Sequence, residues 1–230
     1  MKPAITLFLT TFFLYQSSFS QNIPGGYLLQ YEQNFSAAKA LNDFTMNNPT
    51  AWGIYKVANN FHFRCAGADS VKSIPANIAI LNNKVFGDFI LEADVIAGND
   101  SSEIHEACLF LGVRDLTKYY YVQLANLADS VHHGIFLIKD TVISKLTDGS
   151  EDPVAWSESK WHKVRLERNI IKRTILVYVD DMTNPLMQVK NYELVMGAIG
   201  IGTFSGSARF DNIKIWAPTV ITDEELKLME

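Results

Sequence analysis

Two carboxylates, Glu92 and Asp94, stand two residues apart in the segment FILEADV. On a strand this spacing puts both side chains on one face. Paired carboxylates can serve glycoside hydrolysis as general acid and as nucleophile or base. The third acid of a Glu-x-Asp-x-(x)-Glu array is missing, because Ile96 and Ala97 stand in its place. A solvated strand face is therefore the favoured interpretation, and the two acids are catalytic candidates without a complete set.

A third catalytic candidate, His133, follows His132 and lies close to Asp129. Neighbouring residues on a strand point to opposite faces, so the two histidines do not favour a shared metal. The sequence contains neither C-x-x-C nor H-E-x-x-H, and a structural zinc site therefore has no support. Oxygens of the polar loop 98–106 leave calcium open as an alternative that no motif supports. We predict no metal and no cofactor.

The largest group of side chains suited to ligand binding falls within residues 107–140, a pattern typical of three consecutive antiparallel strands. A hairpin loop at residues 115–118 would pair Gly112 with Tyr121 and Phe110 with Gln123 across the first two strands. The third strand is expected to place residues 133, 135, 137 and 139 on the face of Tyr121, with Phe136 and Ile138 in the core. The predicted ligand-binding face comprises Arg114, Tyr119, Tyr121, Gln123, His133 and Lys139.

Such a face suits a carbohydrate. Sugars present apolar C–H patches and rings of hydroxyls, which aromatic platforms and a few directed hydrogen-bonding groups can hold. The glycine at position 112 would leave room for a ligand to approach the backbone. The alternative interpretation is the ordinary wet side of an antiparallel sheet.

The elements that must position these residues are strands. About a dozen short alternating segments, separated by turn residues and with almost no helical periodicity, predict an all-β, two-sheet antiparallel sandwich. No internal repeat or low-complexity linker divides the chain. We expect one domain over residues 21–216 and a C-terminal tail over residues 217–230 that can form one capped helical turn.

Composition limits the classes of partner. The 230 residues carry a net charge of −5, and no basic cluster is longer than a dipeptide, so nucleic acid is not an expected partner. Residues 1–20 have the basic start, short apolar run and Ser-Phe-Ser cleavage site of a signal peptide. We therefore expect a secreted or periplasmic protein without membrane insertion. Export permits a disulfide between Cys65 and Cys108, but two buried thiols are equally consistent with the sequence.

Several segments resemble the concanavalin A-like lectin/glucanase superfamily, which includes laminin G-like domains and family 16 glycoside hydrolases. The segments that carry this resemblance are FGDFILEADV (86–95), LFLGVRDLTKYYYVQLA (109–125), WHKVRLER (161–168) and GAIGIGTFSGSARFDNIKIW (197–216). Within the superfamily the chain is most similar to secreted bacterial domains of the 3-keto-disaccharide hydrolase or unknown-function type. The resemblance covers nearly all of residues 27–216.

The resemblance implies a jelly roll of two curved sheets, the concave one binding carbohydrate or remaining vacant. The catalytic strand of the family 16 enzymes has no intact match here, and FILEADV resembles a different, framework strand of that fold. The first hypothesis is therefore a carbohydrate-binding protein that takes part in polysaccharide capture or turnover. The alternatives are a glycoside hydrolase of the 3-keto-disaccharide hydrolase type and a laminin G-like protein-interaction module.

Overall fold

The computed structural model describes residues 23–67, 77–98, 103–157 and 159–229. The predicted signal peptide, residues 1–20, lies outside these ranges. Apart from two short 3-10 turns (Ala38–Asp43 and Pro49–Ala51) and a final helix, the elements are strands. They are β1 (Leu28–Gln33), β2 (Phe44–Met46), β3 (Trp52–Val57), β4 (Asn60–Cys65), β5 (Asn77–Phe86), β6 (Phe89–Ala97), β7 (Glu106–Asp115), β8 (Lys118–Ala125), β9 (Gly134–Lys139), β10 (Val142–Lys145), β11 (His162–Asn169), β12 (Thr174–Val179), β13 (Met187–Lys190), β14 (Gly197–Thr203), β15 (Ala208–Ala217) and α1 (Asp223–Leu228).

The strands form two sheets. The eight-stranded sheet has the order β13-β12-β11-β6-β15-β4-β3, with β1 also paired to β15. The seven-stranded sheet has the order β10-β9-β8-β7-β14-β5-β2. Every strand pair in both sheets is antiparallel. The predicted all-β two-sheet sandwich is therefore confirmed.

The main hydrophobic core lies between the sheets, because alternate residues of both contribute to one cluster. From β6 these are Phe89, Leu91, Ala93 and Val95, the face that the alternation of FILEADV predicts. From the seven-stranded sheet, β7, β8 and β9 contribute Leu109, Leu111, Tyr120, Val122, Leu124, Ile135 and Leu137. The opposite side of the seven-stranded sheet carries a second apolar cluster that includes Cys108, Phe110, Val113, Tyr119, Tyr121, Phe136 and Ile138. We call this side the aromatic face.

The predicted pairing of β7 with β8 is wrong by two residues over most of its length. Phe110 pairs with Tyr121 and Cys108 with Gln123, although Asp115 pairs with Lys118 at the hairpin. A bulge around Gly112, whose φ is +61°, absorbs the extra residues, and this left-handed conformation favours glycine. The bulge also places Val113 on the aromatic face.

The predicted faces of β9 are exchanged. Phe136 pairs with Tyr121 and Ile138 with Tyr119 on the aromatic face, whereas Ile135 and Leu137 point into the core. The β8–β9 connection determines which side of the sheet each β9 side chain faces, since a register change of one residue moves every side chain to the other face. The aromatic face is consequently richer in aromatic rings than the sequence indicates.

The remaining differences are small. The short edge strands β2 and β13 were not predicted, while the capped C-terminal turn is present, with Thr222 and Glu225 forming a reciprocal capping box. Cys65 and Cys108 are buried free thiols. Cys65 packs in the inter-sheet core, whereas Cys108 packs on the aromatic face. Of the two possibilities left open by the sequence, the structure therefore has the two buried thiols and not the disulfide.

Candidate functional site

A cleft of about 430 Å³ opens at one end of the aromatic face. It lies where β7 begins, β8 ends and β9 begins, and the loop after β14 and the edge strand β10 complete it. The residues lining it include three aromatic rings, one carboxylate, one amide and two basic side chains. These are Tyr121, Phe136, Phe204, Glu106, Gln123, Lys145 and His132.

The aromatic wall of the cleft is built by cross-strand pairing. Tyr121 and Phe136 are direct partners on β8 and β9, and their rings stack with centroids 4.7 Å apart and planes 4° apart. Phe204, just after β14, brings a third ring to within 4.9 Å of the Tyr121 centroid. An apolar surface of this kind matches the C–H faces of a sugar ring.

The polar floor of the cleft consists of Glu106 on β7 and Gln123 on β8. The Gln123 Nε2 donates a hydrogen bond to Glu106 Oε2, and the Ser205 backbone N–H donates to Glu106 Oε1 at 2.8 Å. Both side chains are about 1% exposed. The buried Gln123 Oε1 has no hydrogen-bond partner among the described residues. A buried acceptor without a donor is costly, so a hydroxyl entering the cleft would be stabilised there.

Hydrogen bonds order the rim of the cleft. Lys145 Nζ donates to the backbone oxygens of Asp129 and His132, at 2.6 and 3.2 Å, and lies 5.7 Å from the centroid of Phe136. The His132 ring is 2.9 Å from the Asp129 carboxylate, which also accepts from the Val131 N–H. The hydrogen bond from His132 is the largest of the effects that lower the pKa of Asp129 to about 2. The loop is therefore held in place before any ligand binds.

The six predicted binding residues are dispersed. Tyr121 and Gln123 line the cleft, and Tyr119 shares their face with its ring 6.3 Å from that of Tyr121. Burial is the main cause that raises the pKa of both tyrosines. Arg114 donates to the Met196 oxygen at 3.3 Å at the bulge, and Lys139 forms an exposed ion pair with Glu193.

His133, predicted both to bind ligand and to take part in catalysis, is fully buried. Its φ is +51° and its Nδ1 accepts a hydrogen bond from the Ala125 N–H at 3.1 Å. Burial is the main cause that lowers the pKa of His133 to about 4, with the nearby Lys145 acting in the same direction. The geometry makes it a neutral structural side chain that supports the end of β8.

The two candidate carboxylates lie on the other sheet. Glu92 and Asp94 are on the side of β6 that faces away from the core, and Glu92 forms a buried ion pair with Arg165 at 3.1 Å. Asp94 accepts from Asn212 at 2.8 Å and pairs across the strands with Asp211, whose pKa is raised mainly by burial. Neither candidate lines the cleft.

Sequence reasoning missed Glu106, Phe136, Phe204 and Lys145. Glu106 was assigned to the polar loop 98–106, but β7 starts with it, in phase with Cys108 and Phe110. Extending the alternation of β7 two residues towards the N-terminus would have placed Glu106 on the aromatic face. Phe136 was assigned to the wrong face, and no signal in the sequence marks the return of the β14 loop over Tyr121.

A larger cavity, about 600 Å³, lies between the loop 146–152 and the edge strand β13. Its lining is acidic and aliphatic, with Asp148, Glu151 and Asp152 but no aromatic ring, and it therefore offers no stacking surface. Within the described ranges, no three side chains of His, Cys, Asp or Glu lie close enough together to hold a metal ion. No helix in the same ranges is long and apolar enough to cross a membrane.

The chain matches no family model and no curated protein, but it is similar in structure to several solved proteins. A carbohydrate-binding module, CBM66 from Bacillus subtilis, is 14% identical with a TM-score of 0.55 and covers 74% of this chain and 93% of its own. The cellulose-induced protein Cip1 is 11% identical with a TM-score of 0.59, covering 83% and 98%. A Bacillus subtilis protein of unknown function with a galectin-like fold is 10% identical with a TM-score of 0.55, covering 85% and 99%. At these identities the similarities show the fold alone, a two-sheet β-sandwich.

Proposed function

We propose that this chain is an exported carbohydrate-binding protein that holds a glycan in the cleft of the aromatic face and takes part in polysaccharide capture or turnover. The single observation that carries the proposal is the pairing of a three-ring wall with a buried, unpartnered acceptor. Tyr121 and Phe136 offer a flat apolar surface, and Gln123 Oε1 lacks a donor among the described residues. A sugar ring supplies both an apolar face and hydroxyl donors.

Three further observations support the proposal. The cleft volume, about 430 Å³, is within the range of small-molecule sites. The hydrogen bonds of Lys145 order the rim, which reduces the conformational entropy that the loop loses when a ligand binds. Proteins of the same fold include a carbohydrate-binding module, although similarity at 14% identity reaches only as far as the fold. The signal-peptide pattern of residues 1–20 is the basis for proposing export.

Binding without hydrolysis is the form of the proposal that the cleft favours. Glycosidases of the usual kind use two carboxyl groups that flank the bond to be cleaved. Among the described residues lining the cleft, Glu106 is the one carboxylate. The resemblance to 3-keto-disaccharide hydrolases makes turnover the alternative outcome, and chromatography of each glycan after incubation with the protein would detect it as released sugar.

The test is a panel of soluble cello-, xylo-, manno-, galacto- and fructo-oligosaccharides, measured by thermal shift and calorimetry. We expect at least one to raise the melting temperature, since a ligand that binds only the folded state stabilises it. Tyr121→Leu should weaken that binding about tenfold, because it removes the stacking surface. A protein that no member of the panel stabilises would overturn the proposal.

The matched control is Tyr119→Leu. Tyr119 lies on the same strand and face, is equally buried and contacts the same neighbour, Phe110, but does not line the cleft. The two variants should lose similar stability, while only Tyr121→Leu loses affinity. Equal loss of binding in both variants would mean that the effect is general destabilisation and not the loss of a contact.

A further inference from the structure

The floor of the cleft presents acceptors in a fixed orientation. Both oxygens of the buried Glu106 carboxylate already accept a hydrogen bond, one from Gln123 Nε2 and one from the Ser205 N–H. A carboxylate only accepts, so it must face the nitrogen end of the Gln123 amide. The other end of that amide is therefore necessarily an acceptor. Glu106 thus acts as a positioning residue for Gln123.

The basic groups at the rim are hydrogen-bonded to the loop 129–132 and not to the floor. Lys145 Nζ is within hydrogen-bonding distance of two backbone oxygens, and the His132 ring is paired with the Asp129 carboxylate. The buried floor consists of one negative charge and one unpartnered amide oxygen. A ligand group that reaches this floor has to be a hydrogen-bond donor without negative charge.

We propose that the cleft selects neutral sugar rings, whose hydroxyls donate to Gln123 Oε1 and Glu106, and rejects the corresponding uronic acids. This inference rests on the carbohydrate-binding function proposed above. A uronate carboxylate that entered the cleft would bring a second negative charge towards Glu106 where little water can screen it. It would also replace the donor that Gln123 Oε1 lacks with another acceptor.

The experiment compares sugars that differ only at C6. The methyl glycosides of glucose, galactose and mannose are titrated against their C6-oxidised uronates by NMR at pH 7. For at least one pair the neutral sugar should bind, and its uronate should bind at least about tenfold more weakly. A uronate that binds as tightly as its neutral partner would overturn the inference while leaving carbohydrate binding in place. Failure of both members of every pair, together with failure of the oligosaccharide panel, would overturn the proposed function itself.

Two variants test the mechanism. Glu106→Gln removes the charge and allows the Gln123 amide to reverse. The ratio of the affinities for the neutral sugar and its uronate should therefore fall about tenfold. Gln123→Met keeps the approximate shape but removes both the orphan acceptor and the bond to Glu106. It should weaken binding of the neutral sugar, while the Glu106 charge continues to oppose the uronate. A Glu106→Gln protein that folds and keeps the full discrimination would contradict the assigned role. Should Glu106→Gln fail to fold, a Gln123→Met protein that binds the neutral sugar as tightly as the unmodified protein would contradict it instead.

Discussion

The outward faces of the two sheets differ in composition and in how their polar residues are satisfied, since the face of the seven-stranded sheet carries an apolar cluster and that of the eight-stranded sheet carries paired charges. On the eight-stranded sheet, Glu92, Arg165 and Glu167 form a linked set of ion pairs, and Asp211 accepts from Asn60 and from a backbone N–H. On the aromatic face, Gln123 is buried with an unpartnered oxygen beside three rings. What distinguishes the aromatic face is the combination of an unsatisfied buried acceptor with an apolar wall in one cleft, and the proposed binding is therefore assigned to that face.

The largest expected effect is on stability and falls on the eight-stranded sheet. Glu92→Ala should reduce the free energy of unfolding by about 3 kcal/mol, because it leaves the buried Arg165 without one of its carboxylates. Glycan affinity should not change. Urea denaturation and calorimetry would measure the two quantities. The exposed pair of Lys139 and Glu193 is the control, and Glu193→Gln should leave the free energy of unfolding almost unchanged because solvent screens this pair.

Loss of glycan binding in a folded Glu92→Ala protein would break the comparison. It would show that the charged face contributes to binding, and the carboxylates first suspected from their spacing would return as candidates.

The second expected effect is a pH dependence at the cleft end of the seven-stranded sheet. The pKa of His133 is lowered from 6.5 to about 4, mainly by burial. Because the pKa of His133 is lower in the folded protein, the unfolded chain binds a proton at this side chain at a higher pH than the folded protein does. The contribution of neutral His133 to the free energy of unfolding is therefore complete above pH 6.5. It is lost as the pH falls from 6.5 towards 4, and amounts to roughly 3 kcal/mol.

The variant His133→Asn isolates this contribution, since asparagine tolerates the positive φ at this position. Burial also lowers the pKa of His62, which acts in the same direction in both proteins. The decisive quantity is therefore the difference between the two unfolding curves, measured from pH 8 to pH 4. Parallel curves would show that His133 titrates normally and does not form the neutral support inferred from its bond to Ala125.

The same comparison shows how far sequence reasoning reaches. The alternation in FILEADV correctly predicted which side of β6 is core, because period-two patterning reports burial directly. It could not determine the faces of β9 relative to β8, because the connecting loop sets them. Phe136 was therefore placed in the core although it stacks on Tyr121. Tyr121 and Gln123 were predicted as binding residues and do line the cleft, but their partner Glu106 was assigned to a loop.

The smallest expected effect separates the rim of the cleft from its floor. Lys145→Met removes the hydrogen bonds to the Asp129 and His132 backbone oxygens but keeps an apolar stem of similar length over Phe136. Loss of such bonds should destabilise the protein by about 1 kcal/mol. It should also weaken neutral-sugar binding about threefold, because the loop must then be ordered on binding. Discrimination against uronates should persist, since Glu106 and Gln123 are unchanged. If Lys145→Met abolished that discrimination, the selectivity would have to be assigned to the rim, and the buried acceptors of the aromatic face would be left with a structural role alone.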